Sequence, residues 1–185
     1  MFLRKPARAR DPLPVTMAGV RMGERALQIG IDDTALAALL ASKPGLSGHS
    51  AIAVADDERA ARAQRTCVDA GVLVDVHAGA LDSLPLRDGD IDVTIVHASD
   101  ASIADMDDRS REALFRECYR VLRIGGRLIL VASLPEGGLG ALFRRRPAVR
   151  ELPPDQILIS LERAGFRARL LAEREGYRFC EGLKG

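Results

Sequence analysis

Three stretches of this chain place polar side chains where they could do chemistry. The first is ALQIGIDDT, residues 26–34. A short apolar run reaches Gly30 and gives way to a helical pattern. Such a turn presents free backbone N–H groups and a partial positive charge, a setting that favours an anion. Asp32, Asp33 and Thr34 are also side chains that satisfy such N–H groups themselves. If Asp33 caps the helix internally, a further carboxylate nearby is repelled; alternatively, Asp32 faces a cationic group of a ligand. The second stretch is HASDAS, residues 97–102, where His97, with Ser99 and Asp100, follows a strand-like run. Histidine is the natural general base near neutral pH; the plainer reading is a polar loop residue that starts the next connection. The third is GGLGALFRRRPAVR, residues 137–150, which joins Leu139, Leu142 and Phe143 to Arg144, Arg145 and Arg146. It suits an anionic substrate, a protein partner, an acidic membrane surface or a phosphate backbone. A solvated basic loop is the plainer reading.

The remaining chemistry-bearing residues say less. His49 and His77 have no spacing to each other or to a cysteine that suggests a metal, so no metal site is expected. Cys67, Cys118 and Cys180 are far apart and form no C-x-x-C pair, which reads as reduced thiols in a cytoplasmic protein. Tyr119 could serve a dehydrogenase, but the residue four positions on is Arg123 rather than Lys, and the Gly30 turn is no G-x-G-x-x-G. Of the 185 residues, 47% are hydrophobic and only 4% aromatic, with no Trp. That composition argues against base stacking on single-stranded nucleic acid. The net charge of +1 hides an asymmetry. Arg4, Lys5, Arg8 and Arg10 open the chain, and Arg144, Arg145, Arg146 and Arg150 cluster late. Setting these eight aside leaves 19 basic groups against 26 acidic ones, an acidic body with two basic patches. Neither a secretory signal nor a membrane span is expected.

The elements that must position these residues alternate in type, which predicts a parallel sheet with helices on both faces. Strands are expected over 25–30, 51–55, 72–77, 91–97 and 127–132, with helices over 34–42 and 57–70. A further helix starts at Asp107 or Asp108 and carries Leu114, Phe115, Cys118, Tyr119 and Leu122, with Gly125-Gly126 as its stop. Pro153-Pro154-Asp155 opens a last helix, and residues 166–173 and 177–183 form a hairpin around Glu175-Gly176. Residues 1–23 read as a basic N-terminal arm and lead-in, and 24–185 as a single domain.

Three segments, in order and spacing, resemble the class I S-adenosylmethionine-dependent methyltransferases. They are ALDSLPLRDGDIDVTIV (80–96), REALFRECYRVLRIGGRLILVAS (111–133) and LERAGFRARLLAEREGYRFCEGLKG (161–185). The resemblance covers roughly residues 24–185. It implies a doubly wound, Rossmann-like α/β fold with a mostly parallel seven-stranded sheet and an antiparallel last strand. It also implies S-adenosylmethionine as cofactor. Carried over by position, Gly30 keeps the first glycine of the cofactor turn. Asp56, with Asp57 as the close alternative, matches the acid that takes the ribose hydroxyls. Leu81, Asp82, Asp32 and His97 fall at further cofactor positions. Other positions depart from the pattern: Gln28 stands where an acid often sits, Asp32 and Thr34 replace glycines, and Ala80 stands where an Asp would meet the adenine. Two functions are therefore expected as alternatives. One is methyl transfer to an unidentified acceptor, expected to be a small molecule, with His97 as candidate base and Arg144–Arg146 in a substrate or partner loop. The other is a catalytically silent methyltransferase fold acting as a binding or scaffold subunit through its basic segments. A nucleotide-binding oxidoreductase is a third reading.

Overall fold

In the computed structural model, residues 11–134 and 153–185 are described. They form a seven-stranded sheet flanked by helices. The strands are β1 (Arg25–Ile29), β2 (His49–Val54), β3 (Asp75–Ala78), β4 (Ile91–His97), β5 (Leu122–Ser133), β6 (Arg167–Arg174) and β7 (Tyr177–Leu183). Their order across the sheet is β3-β2-β1-β4-β5-β7-β6. The pairs from β3 to β5 are parallel, and β7 runs antiparallel to both neighbours. This is the doubly wound Rossmann-like sheet implied by the sequence.

Alternation along the strands assigns each face its own core. Leu27 and Ile29 of β1 join Val96, Leu128 and Leu130 beneath α5 (Asp108–Val121) and α6 (Pro154–Arg163), whose Leu114, Phe115, Ile157 and Leu161 are buried there. Ala26, Val93, Ile95 and Ile129 face the other way, toward Leu36 and Leu40 of α2 (Thr34–Ser42). Ile52 and Val54 pack with Ala63 and Cys67 of α3 (Asp57–Asp69). Such a two-period pattern is what a strand buried on both faces requires. All three cysteines are buried and free.

Three local features differ from the sequence reading. Residues Leu13–Ala18 form a short helix, α1, whose Val15 and Ala18 are buried against Ile129 and Phe179, so the lead-in packs on the sheet. A four-residue helix, α4 (Ala101–Ala104), follows β4. Gly125-Gly126 does not stop α5: the helix ends when Leu122 turns extended (φ −69°, ψ 138°). The glycines lie within β5, where the register against β4 shifts by several residues between Leu122 and Arg127. Gly125 has φ +73°, and a Cβ on Gly126 would stand 2.8 Å from the Arg123 carbonyl oxygen. A bulge of this kind needs such residues. The Glu175-Gly176 turn has positive φ at both positions (51° and 75°), as a tight hairpin demands.

Candidate active site

The sheet order reverses between β1 and β4. In such sheets the crevice for ligands lies outside the carboxyl ends of the strands at that reversal. Two loops meet there: 30–33 after β1 and 98–100 after β4.

Each acid of the first loop has a partner within the protein. Asp33 caps α2, its Oδ1 accepting from Ala35 N at 2.9 Å and Leu36 N at 3.1 Å. Internal capping by Asp33 is one of the two arrangements that the sequence leaves open for this turn. The Asp32 carboxylate lies 3.3 Å from His97 Nδ1, an ion-pair distance without hydrogen-bond alignment, since Nδ1 has no hydrogen-bond partner among the described residues. The other ring nitrogen is held from below. Gln28 is buried and donates through Nε2 to the Ala37 carbonyl at 2.9 Å, which leaves its Oε1 to face His97 Nε2 at 3.0 Å. An amide oxygen only accepts, so Nε2 carries a proton. His97 is 1% exposed. Its ring is thus packed between Gln28 and Asp32 rather than presented to solvent, where a base acting on a bound acceptor would stand.

The second loop reaches over to the first. The Asp100 carboxylate accepts from Ile31 N at 2.7 Å, bridging 69 positions of sequence. Its other oxygen accepts from Ser102 N at 2.8 Å and Ser102 Oγ at 2.5 Å, capping α4. Asp100 is 2% exposed. Directly beneath lies Gly30, with φ +72°. A Cβ built there would meet Ile103 Cδ1 at 2.7 Å and Asp100 Cβ at 3.0 Å. Glycine is therefore required here by the α4 loop packed against it as well as by the backbone angle.

Asp56 stands at the end of β2, as its assignment to a ribose contact needs. It caps α3 by accepting from Arg59 N at 2.8 Å, and its other oxygen pairs with Arg59 Nη1. The backbone bond from Arg59, then the guanidinium, hold its carboxyl below the ordinary aspartate range. The same guanidinium extends toward Asp100, with Nε 3.7 Å from Oδ1. Arg59 thus spans the mouth of the crevice from one acid to the other. Outside it, Arg59, Ala101, Ser102, Asp105 and Met106 line an open depression of about 410 Å³.

A narrower recess of about 160 Å³ lies at the ends of β2 and β3, lined by residues that include Val54, His77, Ala80, Leu81 and Ser83. Leu81 is buried and joins the core. Asp82, the next residue, is exposed and is not part of this lining. The loop that forms the recess wall is fastened from α5. Arg120 donates to the carbonyls of Leu84 and Leu86 and to Asp88, and is itself held by Glu117. Arg144, Arg145 and Arg146, and the basic residues 1–10, lie outside the described residues. Among the described residues there is no cluster of His, Cys, Asp and Glu that could hold a metal, and no helix long and apolar enough to cross a membrane.

A family model described as a methyltransferase domain matches residues 27–130. No curated protein matches significantly. Among solved structures, a SAM-dependent methyltransferase from Aquifex aeolicus superposes with a TM-score of 0.75 at 16% identity, covering 93% of this chain and 88% of that one. The YcgJ protein of Bacillus subtilis gives 0.67 at 19% identity, covering 93% and 96%. PigF, solved with S-adenosylhomocysteine (SAH), gives 0.63 at 21% identity, covering 88% of this chain and 51% of that one. At these identities the superpositions establish a shared fold.

S-adenosylmethionine is the cofactor that this family and fold imply. The recess at the ends of β2 and β3 is compatible with its nucleoside half: apolar residues line it together with His77 and Ser83, and Asp56, its carboxyl held low, lies close by in sequence at the end of β2. The amino-acid half does not fit in the arrangement seen, because the Ile31 N–H is bonded to Asp100 and the space over Gly30 is filled. Asp100 and Ile103 close it, and Arg59 pairs with Asp100 from outside; sequence does not mark any of the three as a binding residue. The local signals were an Asp followed two residues later by Ser, and an Arg three residues after the Asp56 cap. Neither reveals a partner across the sheet.

Proposed function

As this chain belongs to the methyltransferase domain family, we propose that it is an S-adenosylmethionine-dependent methyltransferase acting on a small-molecule acceptor. The supporting observation is the surviving nucleoside site, in which Asp56 stays ionised at the end of β2 and the recess follows at the ends of β2 and β3. S-adenosylmethionine supplies an electrophilic methyl group on a sulfonium. The protein's task is then to hold donor and acceptor in register, an effect worth up to about 7–11 kcal/mol.

In this reading Asp56 accepts from the ribose hydroxyls, exchanging part of its bond to Arg59 for them. Leu81 and its neighbours exclude water from the base. His97 is a positioning residue: Gln28 holds its ring from β1, and its other ring nitrogen stands 3.3 Å from the Asp32 carboxylate of the turn. The acceptor enters over the open depression beside Ser102 and Met106. A cytoplasmic setting suits three buried, unpaired thiols.

Calorimetric titration with SAH tests the proposal. Binding is expected, and Asp56→Asn, which keeps a capping oxygen for α3, should weaken it by about tenfold or more through loss of a charge-assisted hydrogen bond. No heat at millimolar ligand from a folded protein overturns it, and leaves the scaffold reading, in which the fold serves as a binding subunit.

A further inference from the structure

We infer that Asp100 is a resident carboxylate occupying the amino-acid end of the crevice, so that the protein as it stands takes adenine nucleosides lacking a carboxylate in preference to SAH. The inference rests on the assignment of the crevice proposed above.

Four observations carry it. The Ile31 N–H, a donor that the strand-end turn would offer to an anion, is bonded to Asp100 Oδ2 at 2.7 Å. The second carboxylate oxygen is bonded to Ser102, so Asp100 is satisfied on both oxygens while 2% exposed. The volume over Gly30 is taken by Asp100 and Ile103. Arg59, the cation facing this end of the crevice, is shared between Asp56 and Asp100.

The energetic consequence follows from charge. A ligand carboxylate entering here must displace a buried carboxylate from its donors and leave it unpaired, which costs more than the gain of an equivalent bond. It would also enter beside Asp32, itself turned onto His97, and like charges at such range repel. A nucleoside without a carboxylate meets none of this. It requires the recess near Leu81 and Ser83 and the exposed side of Asp56, and leaves the Asp100 bonds intact. The crevice therefore discriminates by the charge at the ligand's tail, and full cofactor binding demands that Asp100 swing out.

The test is a pair of calorimetric titrations, with adenosine and with SAH, on the full chain and on Asp100→Ser. Serine retains an N-cap oxygen for α4 but vacates the space before Ile31. The parent should bind adenosine more tightly than SAH. In Asp100→Ser the SAH affinity should rise by about tenfold or more, the scale of one charge-assisted hydrogen bond, while adenosine stays within about twofold. Amide exchange at Ile31 should quicken in the same variant. If Asp100→Ser does not fold, Asp100→Asn keeps the shape and the cap and removes the charge, and should still raise SAH affinity several-fold. A parent that prefers SAH overturns the inference. So does an unchanged SAH affinity in a folded Asp100 variant, with adenosine still bound. Absence of binding by either ligand in every folded protein overturns the crevice assignment itself, and the inference with it.

Discussion

Gln28 and His97 are joined by a buried hydrogen bond of 3.0 Å between side chains 69 positions apart in sequence. Because Gln28 also donates to the Ala37 carbonyl, one amide fastens β1 to α2 and β4. Gln28→Leu preserves the bulk and leaves the buried His97 Nε2 without its partner, while the Ala37 carbonyl keeps its bond within α2. A buried group left unpaired costs about 1–3 kcal/mol, so urea denaturation should show a loss of about that size. A loss within experimental error would mean that the amide contributes no net stability.

Gly30→Ala should be among the more damaging substitutions in the chain. It forces a side chain into φ +72° and places a Cβ 2.7 Å from Ile103 Cδ1, together costing more than about 2 kcal/mol. Ile103→Ala relieves the steric part alone. The double variant should therefore be more stable than the sum of the two single losses predicts, and a thermodynamic cycle on the four proteins reads that coupling directly.

Arg120 ties the recess loop to α5 through two carbonyls, Asp88 and Glu117. Arg120→Ala should destabilise the fold by about 2–4 kcal/mol, since several charge-assisted bonds are lost together. Hydrogen exchange should quicken over residues 84–89 before the rest of the sheet responds. Arg120→Lys should recover little, because an ammonium cannot reproduce the guanidinium fork. Uniform protection across that loop in Arg120→Ala would remove Arg120 from this role.

Acid should weaken the same anchor. The Arg120 guanidinium, by its hydrogen bond, holds the Glu117 carboxyl below its usual value of 4.5 despite partial burial. A carboxyl depressed in the native state stabilises fully above its unfolded value and loses that contribution as pH falls through the native one. Stability measured from pH 7 downward should therefore begin to decline near pH 4.5. Glu117→Gln should flatten part of that decline. An unchanged slope would assign the acid limb to other carboxylates.

Much of the frame is readable from local pattern. Thr34–Ser42, Ile91–His97 and Tyr177–Leu183 lie where periodicity and turn residues place them, because each signal is contained within its own element. The caps Asp33, Asp56 and Asp107 are equally local, an acid two or three residues before the amide it serves. The short helices are not readable. Leu13–Ala18 and Ala101–Ala104 contain too few residues to display a period, and burial of Val15, Ala18, Ile103 and Ala104 is what holds them. Gly125-Gly126 misleads for a related reason: a helix stop and a strand bulge ask for the same residue, and the pairing with β4 chooses between them. In the crevice, sequence names Gly30, Asp32, Asp56 and His97 but not their partners. The contacts of Asp100 with Ile31 and of His97 with Gln28 depend on two loops meeting at the reversal of the sheet.

Gly30 bears on how such proteins are sorted. The residue is needed by the packing of Ile103 and Asp100 above it, so selection for a stable fold would retain it whether or not a ligand ever reached the turn. Its presence in this chain is therefore no sign by itself that a ligand reaches the turn. In this chain that question passes to Asp100, whose carboxylate is bonded to the turn at the Ile31 N–H.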